Sequence, residues 1–235
     1  AKYSIEEIIE RHVEISANIS QKIKPIKILN EYYQSGNYPY YFENIENYHQ
    51  RLQQTISTIL EVDLPAILNI DYSSVHKLKK LLYVLSTSVP FKPNITELSQ
   101  KVGVARDTLL RYLHHLSEAH LILLLRSNKK GMSYMTKPEK IYLHNTNIMV
   151  SLADVHLRQG TIRETFFYNQ LRCIGQVYDH TDADFLFDDK LVFEVGGKNK
   201  SKKQIQGFPD AYIVSDDIEV GVSNRIPLWL FGFLY

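Results

Sequence analysis

The chain has 235 residues, 44% of them hydrophobic and 23% charged, with a formal net charge of +1. This composition excludes a disordered or fibrous chain, has length enough for two domains, and provides no global field favouring nucleic acid. No run approaches the roughly 18 apolar residues that a membrane helix needs, the opening AKYSIEEIIERHVEI is too charged for a signal peptide, and the single Cys173 cannot form an internal disulfide, so the expectation is a cytoplasmic protein without a membrane partner.

The first third reads as helical. Ser4 with Glu7 three residues later forms a capping-box pattern ahead of Ile5, Ile8 and Ile9, which predicts a first helix. A second helix is expected from about Pro25 and is stopped by Gly36, and residues 48–60 and 73–89 carry apolar side chains at helical spacing. No catalytic set of residues falls here. Tyr32, Tyr33, Tyr38, Tyr40 and Tyr41 suit aromatic packing between helices or a partner surface.

Residues 94–122, NITELSQKVGVARDTLLRYLHHLSEAHLI, give a short helix capped by Asn94 or Thr96, a turn at Gly103, and a longer helix over about 105–119. That is a helix-turn-helix pattern. The run ILLLR, a basic turn and then EKIYLHN predict two strands, which makes the whole a winged helix. Residues 126–140 hold five basic residues against one acid. In such a fold Arg106, Asp107 and Arg111 face base edges or phosphates of DNA, and Lys129 and Lys130 meet the backbone from the wing. His114, His115 and His120 make no metal site, because adjacent histidines on a helix diverge and no cysteine or carboxylate pair completes the set.

From residue 160 the chain gives a helix, TIRETFFYNQL, followed by short apolar runs in QVYDH, ADFLFDD, KLVFEVGG, DAYIVSDD, IEVGVS and PLWLFGFLY, all read as strands. Glu164 lies in the first turn of that helix, Asp184 inside a strand, and Glu194 at the end of the next strand. An Asp and a Glu on adjacent strands with a nearby lysine are what a metal-dependent phosphodiesterase of the PD-(D/E)xK type uses, so Asp184 and Glu194 are candidate ligands for Mg²⁺ or Mn²⁺. Glu164 would support them, and Gln204 is expected nearby on a following helix. The residue sharing Glu194's face two positions on is Gly196, and Lys198, the next of that parity, lies about 6–7 Å too far along an extended strand. Either a bulge at Gly196-Gly197 returns Lys198 to the carboxylates as the catalytic lysine, or the lysine has been lost.

The segments GNYPYYFE, KPEKIYLHNTN, IRETFFYNQL and FEVGGKNKSKKQI together resemble the C-terminal part of prokaryotic AAA-type ATPases that carry a domain of unknown function behind their motor. The resemblance implies an α+β chain of three parts: a helical connector similar to an ATPase lid (residues 1–70), a winged helix-turn-helix (71–145) and a C-terminal PD-(D/E)xK nuclease-like α/β domain (146–235). It also implies DNA as partner and an ATPase motor domain in cis, from which this chain is cut or which it lacks. Relatives carry Glu-x-Lys at the strand end, whereas this chain has Glu-Val-Gly-Gly-Lys. No G-x-x-x-x-G-K-[ST] loop occurs, so no ATP hydrolysis by that route is expected. Three functions stand side by side: a DNA-binding regulatory part with a decayed nuclease site, a Mg²⁺-dependent DNA endonuclease, and a module docking a protein or a second copy of the chain.

Overall fold

The computed structural model describes residues 1–68, 71–87, 90, 92–128, 136–152 and 158–234. In chain order the elements are α1 (Ile5–Ser20), α2 (Pro25–Ser35), α3 (Tyr48–Thr58), α4 (Leu64–Leu68), α5 (Tyr72–Ser86), α6 (Ile95–Val102), α7 (Arg106–Glu118), β1 (Ile122–Ser127), β2 (Lys140–Leu143), α8 (Thr146–Leu152), α9 (Gln159–Leu171), β3 (Val177–Asp179), β4 (Phe185–Phe187), β5 (Leu191–Gly196), β6 (Ala211–Ser215) and β7 (Arg225–Pro227). The fold is α+β with mixed strand pairing. It divides into two compact units, residues 1–34 with 158–235 and residues 35–157. The three consecutive segments expected from the sequence are therefore not the units observed, because α1 and α2 belong with the C-terminal sheet.

In the central unit, local chemistry sets the helix ends. Asn94 Oδ1 accepts from Glu97 N at 3.3 Å to cap α6. Gly103, at φ +80, closes that helix with its N–H on Ser99 O; a side chain there would strain the left-handed turn. Leu109, Leu113 and Leu116 turn α7 inward, and β1 and β2 follow as an antiparallel pair with Ile122 opposite Leu143. Between α3 and α4, residues Ile59–Asp63 widen into a π turn, with Leu64 N bonded to Ile59 O. Pro65 explains this: it has no N–H to continue the regular ladder, so one widened turn absorbs the break.

In the other unit the capping box of α1 forms as the sequence implies, Ser4 N–H donating to Glu7 Oε2 at 2.8 Å and Glu7 N–H to Ser4 Oγ at 3.2 Å. Strands β3, β4 and β5 run antiparallel, and β5–β6 and β6–β7 are parallel. Phe167 of α9 fixes the helix to this sheet, its ring 5.5 Å from that of Phe185, 5.2 Å from Phe193 and 4.7 Å from Phe231. Two expected strands are absent among the described residues. IEVGVS makes only an isolated bridge, Val222 to Arg225, and the apolar end continues from the short β7 into a 3-10 helix, Leu228–Phe233. Its apolar side chains are buried by coiling against α9 rather than by sheet pairing. No helix among the described residues is long and apolar enough to cross a membrane.

Candidate carboxylate and lysine site

The register of β4 on β5 brings two acids together. Phe185 pairs with Phe193, so Asp184, one residue before β4, stands beside the C-terminal half of β5. Asp184 is locked twice: its backbone N–H donates to Phe193 O at 3.2 Å, and its Oδ2 accepts from Val195 N at 2.9 Å. Strand alternation turns Phe193 towards Phe167 and turns Glu194 to the opposite face, with Val192 and Gly196. That face is apolar, formed by Val192, Ile205, Ala211 and Ile213. Glu194 is 1% exposed there.

The cation beside it is Lys200. Its Nζ is ion-paired with Glu194 Oε1. A turn delivers it, Lys200 N–H donating to Gly197 O at 3.0 Å, so the chain reverses at once after β5. The lysine stem then lies over Gly196. A Cβ at that position would stand 2.7 Å from Lys200 Cγ and Cδ and 2.8 Å from its Cβ, closer than side chains tolerate. The glycine leaves the space that the returning lysine fills.

Two contacts from Arg225 of β7 hold this turn, and a third braces the arginine on β6. Arg225 Nη1 donates to Lys198 O at 3.2 Å and to Ser215 Oγ at 2.5 Å, and Nη2 donates to Lys200 O at 2.6 Å. Beyond the turn, Asp216 N–H donates to Gly196 O at 2.9 Å, and its carboxylate receives Arg163 Nε at 2.9 Å, which anchors the end of β5 to α9.

Electrostatics follow from burial and charge. Burial, and then the negative field of Asp184, push the Glu194 pKa upward, with Lys200 working the other way. Burial of Lys200 disfavours its charge, but contact with Glu194 and the fields of Asp184 and Glu164 outweigh it, so its pKa is raised and the ammonium form holds. Glu164 is thus within electrostatic reach of the cluster. It sits in the second turn of α9, not the first.

Placement corrects one expectation directly. Lys198 is exposed, and the lysine at the carboxylates is Lys200. The glycines do not supply a bulge in left-handed geometry; Gly196 supplies room. Asp184 and Glu194 do meet, and Gln204 is exposed in a short 3-10 helix. In the other unit Arg106, Asp107 and Arg111 lie exposed on α7, with Arg111 Nη2 donating to Thr108 Oγ1 at 3.3 Å. Lys129 and Lys130 fall outside the described residues. Arg225 was not visible in the sequence, because nothing in a strand of three residues marks a side chain that caps a distant turn. Lys200 carried a signal: it keeps the parity of Glu194 behind a Gly-Gly-Lys-Asn turn sequence.

The fold and these clusters define an α+β chain with a carboxylate and lysine site on a mixed sheet and an exposed basic helix face elsewhere. Residues 26–159 match the model of a family described as a domain of unknown function, DUF8612, and the chain belongs to that family. The matched segment ends before Glu164, Asp184, Glu194 and Lys200. No curated protein and no solved structure matches the chain.

Proposed function

We propose that the chain is a divalent-cation-dependent phosphodiesterase acting on DNA, with Asp184, Glu194 and Lys200 as its working set. The observation that carries this is the ion pair of Lys200 with the buried Glu194 carboxylate, on the strand face that Asp184 also joins. Two carboxylates beside one lysine leave a net negative charge in a largely apolar wall, which a bound cation would offset. The set fits a hard divalent cation. Among the described residues no three His, Cys, Asp or Glu side chains gather to hold a metal unaided, but Mg²⁺ is commonly held by one or two carboxylates, with water and substrate phosphate oxygens completing the shell.

Asp184 and Glu194 are the residues that would hold the ion. When bound, it supplies Lewis acidity and a polarised water. Asp184 is pre-oriented by Val195 N–H, so it needs no reorganisation to bind. Lys200 presents three N–H donors next to the carboxylates, able to orient an attacking water and to offset charge on the phosphate. Exposed Lys198, Lys202 and Lys203 beside it suit a polyanionic substrate. Calorimetry with Mn²⁺ tests the assignment: the wild type binds, while Asp184→Ala and Glu194→Gln do not. No binding by the wild type would contradict it.

A second reading concerns the other unit. The order α5, α6, Gly103 turn, α7, β1, β2 supports a winged helix that contacts DNA through Arg106 and Arg111. On this reading the chain works behind an AAA-type motor as its DNA-binding part, and the cleavage site is the feature that such a module would add.

A further inference from the structure

Resting on the cleavage reading above, we infer that Arg225 is a positioning residue that delivers Lys200 to the carboxylates by clasping the turn that carries it. A lysine borne directly by β5 at position 196 would be aimed by the strand itself. In this chain the lysine stands four residues later, on a turn whose own internal bond is Lys200 N–H to Gly197 O. Its stem must stay folded over Gly196 for Nζ to reach Glu194.

The guanidinium of Arg225 meets what the turn lacks. It donates to the carbonyls of both Lys198 and Lys200, and it is braced by Ser215 Oγ, whose residue is fully buried in β6. The parallel register of Ile213 with Arg225 fixes where the fork begins. A planar fork can hold two carbonyls on one side; a lysine ammonium, a point donor on a flexible stem, cannot reproduce that geometry. Exchange of the two residues, Gly196→Lys with Lys200→Gly, moves the lysine onto the strand and removes the stem that fills the space over position 196. The clasp then has nothing left to aim.

Two measurements on the full chain test this. In the wild type, NMR should show a nuclear Overhauser contact between the Lys200 side-chain methylenes and the Gly196 α-protons. In Arg225→Ala that contact should vanish while the thermal melt remains cooperative, and Arg225→Lys should not restore it. Mn²⁺-dependent cleavage of duplex DNA should fall about a hundredfold in Arg225→Ala, the scale of loss from a misplaced catalytic group. The exchanged variant should cleave and should be indifferent to Arg225→Ala. Persistence of the Lys200–Gly196 contact in Arg225→Ala overturns the inference, and so does an equal loss of cleavage on Arg225→Ala in the exchanged background. A wild type that shows the contact and loses it in Arg225→Ala, yet cleaves nothing, leaves the clasp standing and refutes the cleavage reading on which its catalytic meaning rests.

Discussion

Gly196 and Lys200 share one volume: the absence of a side chain at 196 is the space in which the lysine stem reaches back to Glu194. Any Cβ at 196 lies 2.7 Å from Lys200 Cγ and Cδ, so Gly196→Ala must displace the lysine or the turn. The expected cost is about 1–3 kcal/mol of stability, as for other overpacked sites, together with loss of Lys200 from the carboxylates. Urea unfolding and Mn²⁺-dependent cleavage measured on the same preparation check both halves. An unchanged protein would mean that the stem has another path.

Phe167 ties α9 to the sheet that presents the two acids. It is fully buried against three rings, so Phe167→Ala should cost about 3–5 kcal/mol in chemical denaturation. Because Phe193 neighbours Glu194 on β5, the same change should also weaken Mn²⁺ binding. A loss below about 1 kcal/mol would show that the rings repack without the helix.

His12, 4% exposed on α1, makes stability depend on pH. Its Nε2 lies 3.0 Å from Ser223 O, so that nitrogen carries the proton, and burial of the ring, opposed by the Ser223 carbonyl, lowers its pKa below the ordinary 6.5. The unfolded chain then takes up a proton before the folded one does. The stabilising contribution is fully present above pH 6.5 and is lost as pH falls through the lowered native value. The melting temperature should fall on acidification from about pH 7.5 to 5, and fall less in His12→Gln. His49 and His115, also lowered by burial, act alike in both proteins and cancel in the comparison. Equal slopes would remove His12 as the cause.

The face of α7 is tested by salt. If Arg106 and Arg111 each neutralise a phosphate, each alanine variant should weaken binding to duplexes of unrelated sequence by a similar factor and reduce the slope of log K against log salt by about one. Both side chains are exposed, so stability should change little. Binding with a wild-type slope in both variants would move the contact elsewhere.

Much of the fold was legible in the sequence because its signals are local. Ser4 with Glu7, Asn94 as a cap, Gly103 as a turn and the leucine spacing of α7 all act within a few residues, and they mark the elements where they occur. The meeting of Asp184 with Glu194 followed from their places on successive short strands. The assignment of α1 and α2 to the C-terminal unit was not legible, since amphipathic helices do not state which apolar surface they will cover. The apolar end read as a strand because burial alone does not distinguish a strand from a short coil packed on a helix. The lysine was misplaced for a related reason. Parity along an extended strand pointed to Lys198, but the strand ends at Gly196, and a turn held by an arginine far away in sequence decides which lysine returns.

The most direct test compares the two lysines in cleavage. With Mn²⁺ and duplex or single-stranded DNA at saturating concentration, Lys198→Ala should lose only the few-fold expected of one surface charge, while Lys200→Ala should lose about 10²–10³-fold, the usual scale for removing a transition-state donor. Cleavage lost with Lys198→Ala and retained with Lys200→Ala, or no cleavage by the wild type on any DNA form, would contradict the assignment of Asp184, Glu194 and Lys200 as a working site.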